Sequence, residues 1–160
     1  MRNRNHVRRV GLVAAVALLS RDTWAQAPAG TPPNPRMGRW KLASSSGQSN
    51  IMSYEPFNGT GMKVTIETVS GSGAKSQWGY TTMFDGKDEP VTGRNGTATG
   101  SVRVITPQMN EIIYKDASGK IVQVLMNVLS PDGKTITVSY TSANAQGLQK
   151  PTYATYQRIE

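Results

Sequence analysis

The stretch SPDGKTITVSYT, residues 130–141, joins a tight turn to an alternating strand, and this combination decides the fold class. Pro131 presets the backbone φ angle for a turn, and Gly133 takes the left-handed conformation that completes it. In the segment that follows, Ile, Val and Tyr alternate with Thr and Ser, so that the apolar side chains share one face. The stretch therefore predicts a half-buried strand that begins directly after a hairpin turn.

The same combination recurs along the chain from residue 38 onward. Asn58-Gly59, Asp85-Gly86 and Asn95-Gly96 are hairpin dipeptides, and no segment keeps the apolar stripe of a helix over three turns. Strands are predicted over 38–43, 50–57, 61–69, 75–84, 88–91, 98–106, 109–116, 120–130, 134–142 and 151–159. This spacing predicts an all-β, antiparallel up-and-down meander. A long meander hides its edges by closing, so we expect a β-barrel of about eight to ten strands.

The first 25 residues read as a secretory signal peptide. Four arginines between Arg2 and Arg9 precede an uncharged run over 10–20, and small residues lead to a cleavage position after Ala25. The run is too short for a membrane-spanning helix, which needs ~20 apolar residues. We therefore expect an exported protein, periplasmic or extracellular, with no integral membrane span after cleavage.

Residues 26–36 read as a disordered lead-in, because four of the nine prolines fall between positions 26 and 35. The folded domain is expected over 37–160. Residues 1–25 contain five of the 18 basic residues and one of the ten acidic residues, so the remaining chain carries a formal charge of +4. Its Lys and Arg residues are scattered singly, which argues against a nucleic-acid partner.

The residue types that are missing exclude much chemistry. The chain has no cysteine, and its single histidine, His6, lies in the predicted leader. This excludes His- or Cys-dependent nucleophilic catalysis and His/Cys zinc or haem ligation in the mature chain. Asp85, Asp88 and Glu89 are interpreted as a solvated turn, and Glu67 and Glu111 fall in alternating patterns that place them outside. We expect no enzyme activity, no metal and no cofactor.

Both ends of the predicted domain resemble a known superfamily. The segment GRWKL at 38–42 is similar to the Gly-x-Trp start of calycin barrels, the lipocalins and fatty-acid-binding proteins, and ATYQRIE at 154–160 is similar to their last strand. The resemblance implies a structural closure in which Arg158 packs over Trp40 as a cation–π pair. The segments at 61–93 and 130–141 further resemble small exported bacterial proteins of unknown function with a lipocalin-like barrel.

The chain departs from this superfamily where ligands are concerned. Residues 44–50 are too few for the helical lid of fatty-acid-binding proteins, and Ala154 stands where their carboxylate-binding arginine would be. The resemblance therefore implies a lipocalin-like frame without naming a ligand.

Two functions follow from such a frame. A barrel can bind a small lipophilic ligand in an apolar cavity, and alternatively a filled, ligand-free barrel can serve as an envelope or extracellular protein-interaction module. The candidate cavity-lining residues are the large side chains on apolar strand faces, which would otherwise simply fill the core: Trp78, Tyr80, Phe84, Tyr114, Met126 and Tyr140. Hydroxyls of the tyrosines would orient a ligand by hydrogen bonds.

Overall fold

The computed structural model describes residues 34–43 and 48–160, and all regular structure in these ranges is β-strand. The strands are β1 (Gly38–Leu42), β2 (Ser49–Phe57), β3 (Gly61–Val69), β4 (Lys75–Thr82), β5 (Glu89–Pro90), β6 (Thr99–Thr106), β7 (Met109–Lys115), β8 (Ile121–Leu129), β9 (Thr135–Asn144), β10 (Gly147–Leu148) and β11 (Thr152–Arg158). Among these residues no helix is long and apolar enough to cross a membrane. The all-β prediction is confirmed, while the predicted signal peptide and residues 26–33 lie outside the described residues.

Each strand pairs antiparallel with its neighbour along the sheet, in the order β4-β3-β2-β1-β11-β9-β8-β7-β6-β5, and the two-residue β10 extends β9 as a short hairpin. The first strand therefore lies beside the last one, with Trp40 opposite Arg158 on one side and Met52 on the other. This order confirms the predicted up-and-down meander. It leaves β4 and β5 as the two ends of the sheet.

These two ends meet in one narrow seam. The Gly79 N–H donates to the Thr92 carbonyl at 3.0 Å, and the Thr92 N–H donates back at 2.9 Å. The pairing extends no further because Pro90 has no N–H to donate. Gly93 has a φ of 78°, and a Cβ there would lie 2.4 Å from the Gln77 carbonyl oxygen, so this close approach requires glycine. The barrel is nearly closed.

The core fills the inside of this barrel. Alternate residues of most long strands face inward and are almost completely buried, which removes their apolar surface from water. The buried apolar residues are Trp40, Met52, Tyr54, Met62, Val64, Ile66, Tyr80, Val102, Ile112, Tyr114, Leu125, Leu129, Ile136, Val138 and Tyr156. Aromatic rings therefore take up much of the interior.

Strand β8 is apolar on its outward face and mixed on its inward face, where Leu125 and Leu129 are buried. Its inward positions include Gln123 and Asn127, while Val124, Met126 and Val128 face outward and are half-buried. The prediction that Met126 lines the cavity is wrong, because side chains alternate along a strand and its neighbours Leu125 and Asn127 both face inward.

Two predicted boundaries also change. Strand β4 ends at Thr82, and Phe84 has a left-handed backbone with a φ of 61°, so it leaves the alternation that would put it beside Trp78 and Tyr80. Phe84 still packs against the core from the side. The lead-in also ends earlier than predicted, since Arg36 is buried and the Met37 N–H donates to the Asn34 carbonyl at 2.9 Å.

The barrel base is closed by Trp40 and Arg158. Trp40 is completely buried, its indole N–H donates to the Arg36 carbonyl at 2.9 Å, and the Arg158 guanidinium carbon lies 4.1 Å from its ring centre. The guanidinium also donates to three backbone carbonyls, those of Gly133, Met37 and Pro35, at 2.9, 2.7 and 2.5 Å. The Arg158 side chain therefore links its own strand, β11, to the segment before β1 and to the turn before β9.

Replacing this arginine is expected to destabilise the whole barrel. Arg158→Ala removes a cation–π contact and leaves three carbonyls without their donor, so we expect the free energy of unfolding to fall by about 2–4 kcal/mol. Urea denaturation followed by circular dichroism measures the change. Arg103→Ala is the control, because it breaks only the exposed Arg103–Glu111 ion pair of 2.7 Å and should cost at most about 1 kcal/mol. Equal losses in the two variants would contradict this role for Arg158.

Candidate functional site

An internal cavity of about 120 Å³ lies between the walls of the barrel. Strands β2, β3 and β4 form one side, β7 and β8 the opposite side, and β9 and β11 complete it. Its lining combines aromatic, aliphatic and a few polar side chains: Asn50, Met52, Tyr54, Val64, Ile66, Trp78, Tyr80, Arg94, Ile112, Tyr114, Gln123, Leu125, Asn127, Val138, Tyr140 and Tyr156.

Three aromatic rings form a compact cluster along this cavity. Tyr114 meets Trp78 and Tyr80 edge to face, with ring centres 5.8 and 5.9 Å apart, and the Trp78 and Tyr80 rings stack at 6.4 Å. Gly100 lies opposite Tyr114 on β6, and a Cβ there would lie 2.9 Å from the Tyr114 ring. A side chain at this position would displace the ring. The glycine therefore allows Tyr114 to occupy the interior.

The phenol groups of the cavity are held in hydrogen bonds. The Tyr140 and Tyr156 hydroxyls are 3.1 Å apart, and the Asn127 amide donates to the Tyr54 hydroxyl at 3.1 Å. Burial raises the pKa of the hydroxyls of Tyr54, Tyr80, Tyr114, Tyr140 and Tyr156 above their ordinary value, because desolvation disfavours the phenolate. These tyrosines are therefore neutral donors and acceptors at physiological pH.

One arginine enters the cavity from a loop. Gly93 packs against the backbone of Gln77 and Trp78, and Arg94, the next residue, then turns its side chain into the barrel. Its guanidinium carbon lies 4.7 Å from the Trp78 ring centre and 4.4 Å from that of Tyr114. Arg94 Nη2 donates to Gln123 Oε1 at 2.7 Å, whereas Nη1 is buried and has no hydrogen-bond partner.

A second arginine is buried close to the cavity. Arg36 donates through Nε to Asn127 Oδ1 at 3.3 Å and through Nη1 to the Pro107 carbonyl at 3.1 Å. Burial lowers its pKa below the ordinary value, because desolvation disfavours the charged form. Arg36 does not line the cavity, since Asn127 lies between them.

The predicted lining residues separate into two groups. Trp78, Tyr80, Tyr114 and Tyr140 come together around the cavity, whereas Phe84 and Met126 do not reach it for the reasons given above. Whether the four bind a ligand stays a prediction.

The sequence reasoning missed Arg94, Gln123, Asn127, Tyr54 and Tyr156. Tyr54 and Tyr156 lie on predicted strands and were open to the same reasoning from alternation. Gln123 and Asn127 interrupt an apolar strand, which marks them as unusual without showing the direction they face. Arg94 lies on a loop, where no periodicity applies.

The acidic residues lie away from the cavity. Glu67 is exposed, Glu111 pairs with Arg103 on the outer surface, and Asp85 and Asp88 form exposed ion pairs with Lys87 and Lys115 at 2.8 and 2.7 Å. Over residues 34–43 and 48–160, no group of three or more His, Cys, Asp or Glu side chains is arranged to hold a metal ion.

The outer surface has a larger depression of about 580 Å³, lined by Gly79 and its neighbours on β3 and β4. It is open to solvent, and polar side chains such as Lys63, Gln77 and Thr92 surround it. We regard the interior cavity as the candidate site because it is more enclosed, and because Arg94, whose Nη1 has no hydrogen-bond partner, lines it.

Comparisons with protein-family models and with curated protein sequences find no match. Among solved structures, the chain is similar to a crystal structure of a mutant of the fluorescent protein UnaG. The TM-score is 0.51 with 16% sequence identity, and the likeness covers 77% of this chain and 95% of the other. This likeness, together with the nearly closed antiparallel barrel, confirms the predicted lipocalin-like fold class. At this identity the likeness concerns the fold alone.

The raised tyrosine pKa values predict how the barrel responds to alkali. A neutral phenol that is favoured in the folded state contributes stability below the ordinary tyrosine pKa of about 10, and this contribution is lost as the pH rises above it. We expect the phenolate absorbance at the tyrosine band to rise only together with loss of the circular dichroism signal. Tyr153→Phe is the variant to titrate, because Tyr153 is 70% exposed and the remaining five tyrosines all line the cavity. Full phenolate absorbance with an intact dichroism signal would contradict the prediction.

Proposed function

We propose that this chain is an exported, non-enzymatic barrel that binds a small lipophilic ligand in its interior cavity. The observation that carries the proposal is the interior cavity bordered by the Trp78, Tyr80 and Tyr114 rings. Ligand sites in proteins are mostly apolar and aromatic, with a few polar groups that fix orientation. Tyr140, Tyr156 and Arg94 are such polar groups here.

The size of the cavity limits the ligand. Sites for drug-sized molecules have volumes of about 300–1,000 Å³, whereas this cavity measures about 120 Å³. Aromatic and aliphatic side chains occupy the rest of the interior. A long acyl chain would have to displace several of them, so the proposed ligand is of the size of a single ring.

The alternative, an interaction module, is favoured by a different observation. On the outer face of β7 and β8, Met109 lies opposite Val128 and Ile113 lies opposite Val124. With Met126 these four half-buried side chains form an apolar strip on the outside of the barrel, which the charged Glu111 opposite Met126 interrupts. Exposed apolar surface of this kind can mark an interface. It would become the proposed functional surface if the cavity proved unable to bind a ligand.

Filling the cavity tests the ligand-binding proposal. Val138 lines the cavity and Val128 faces outward, so Val138→Phe and Val128→Phe add the same ring inside and outside the barrel. We expect Val138→Phe to remove a co-purified or added ligand, with at least tenfold weaker binding, because the ring occupies its space. Native mass spectrometry before and after organic extraction measures the bound mass, and circular dichroism checks that both variants are folded.

The outcome decides between the two functions. A bound mass in the unmodified protein and in Val128→Phe, but not in Val138→Phe, supports the cavity. If no small molecule co-purifies and none binds from a panel of lipophilic compounds, the ligand-binding proposal is wrong. Loss of a protein partner in Val128→Phe alone would then support the outer strip.

Export is tested separately on the full chain. When the chain is expressed in a Gram-negative bacterium, we expect the protein outside the cytoplasm to begin at Gln26, because the small residues before it suit signal peptidase. Intact-mass measurement of periplasm and medium gives the cleavage position. A variant with Leu12 and Leu18 both changed to Asp should stay uncleaved in the cytoplasm, since charges abolish the apolar segment. Full-length protein in the cytoplasm of the unmodified strain would contradict export.

A further inference from the structure

Arg94 is a cation whose guanidinium still has an N–H group without a hydrogen-bond partner. Its Nη2 donates to Gln123 Oε1 at 2.7 Å, and the Gln123 amide donates in turn to Ser142 at 3.2 Å. Its Nη1 is buried without a hydrogen-bond partner. Within residues 34–43 and 48–160, no carboxylate forms an ion pair with it, whereas five other Lys and Arg side chains have acidic partners.

Arg94 is half-buried, and leaving a buried guanidinium N–H without an acceptor is costly, so the missing contact points to an anionic partner. The two flanking rings stabilise the faces of the guanidinium, at 4.7 Å from the Trp78 ring centre and 4.4 Å from that of Tyr114. The rings cover the two faces of the guanidinium. Its edge, which carries the N–H groups, is left for hydrogen bonds in the guanidinium plane. A planar carboxylate matches this edge better than any neutral acceptor, because charge-assisted hydrogen bonds are about twice as strong as neutral ones.

The cavity beside Arg94 limits the size and the chemistry of the rest of the ligand. An apolar cavity of about 150 Å³ is known to be sufficient for a benzene molecule, and this one measures about 120 Å³. Its walls carry the Trp78, Tyr80 and Tyr114 rings, of which two already meet the third edge to face. A further aromatic ring can adopt the same geometry. The walls suit an aromatic ring, and the volume limits the ligand to no more than one ring.

We propose that the cavity binds a small aromatic monocarboxylate, with its carboxylate on Arg94 and its ring among Trp78, Tyr80 and Tyr114. This inference rests on the proposed ligand-binding function and narrows it to one chemical class. Gln123 acts as a positioning residue, since its hydrogen bond at 2.7 Å holds the guanidinium between the rings. A second, neutral anchor is provided by the Tyr140 and Tyr156 hydroxyl pair.

Calorimetric titration of the mature chain with benzoate and with benzamide tests the inference. The two probes have nearly the same shape and differ in charge. We expect benzoate to bind at least tenfold more tightly than benzamide. Arg94→Gln should weaken benzoate binding at least tenfold and leave benzamide binding nearly unchanged, whereas Arg94→Lys should keep part of the preference. Arg103→Gln is the matched control, because Arg103 lies on the outer surface with Glu111 and should not affect either probe.

A chemical measurement on the unmodified protein covers the case in which the Arg94 variants fail to fold. Butanedione modifies accessible arginines, and peptide mass spectrometry gives the rate at each position. We expect benzoate, but not benzamide, to slow modification of Arg94 at least fivefold without changing the rate at Arg103. Equal rates at Arg94 with and without benzoate would overturn the inference.

The outcomes separate this inference from the proposed function. If benzamide binds as tightly as benzoate, the anion preference is wrong and the small-ligand cavity stands. If neither probe binds and the lipophilic panel is also negative, the ligand-binding function itself is wrong. If neither probe binds but a larger neutral compound does, only the aromatic carboxylate is excluded.

Discussion

The cation–π pair between Arg158 and Trp40 is the interaction on which the barrel depends. A meander of antiparallel strands has two free edges, and its outermost strands must find partners to avoid exposing unpaired backbone groups. Here β1 and β11 become neighbours, with Trp40 opposite Arg158 in the register. Because the Arg158 guanidinium also donates to carbonyls before β1 and before β9, it fixes three segments that are distant in sequence. Strand pairing then continues outward from this point in both directions.

The second seam shows how closure produces the candidate site. Among the described residues, β4 meets the segment that follows β5 through the single Gly79–Thr92 bridge, since Pro90 and Gly93 end the pairing on either side. The loop that begins at Gly93 is therefore free to turn inward. Its next residue, Arg94, enters between the rings of Trp78 and Tyr114. The segment over residues 90–94 therefore both limits the strand pairing at the seam and places the Arg94 guanidinium at the cavity.

Most of the fold was predictable because its signals are local. Turn dipeptides such as Asn58-Gly59 mark strand ends, and the alternation over residues 135–141 defines a buried face without reference to the rest of the chain. Alternation does not say which face is inside when both are apolar. For this reason the prediction for Met126 on β8 was wrong: Gln123 and Asn127 face inward, and Met126 faces outward. The prediction that Phe84 lines the cavity was wrong for another reason. Its left-handed backbone, with a φ of 61°, cannot be inferred from side-chain periodicity.

The two interior arginines differ in what can reach them. Both have a buried nitrogen without a partner, Nη2 in Arg36 and Nη1 in Arg94. Arg36 lies behind Asn127, hydrogen bonds to a backbone carbonyl, and contributes to the closed base through its own carbonyl and Trp40. The Arg36 charge therefore has a structural role at the closed base of the barrel. Arg94 borders the cavity itself, so a molecule that enters the cavity can contact its guanidinium. That difference in access is why the ligand's charge is assigned to Arg94.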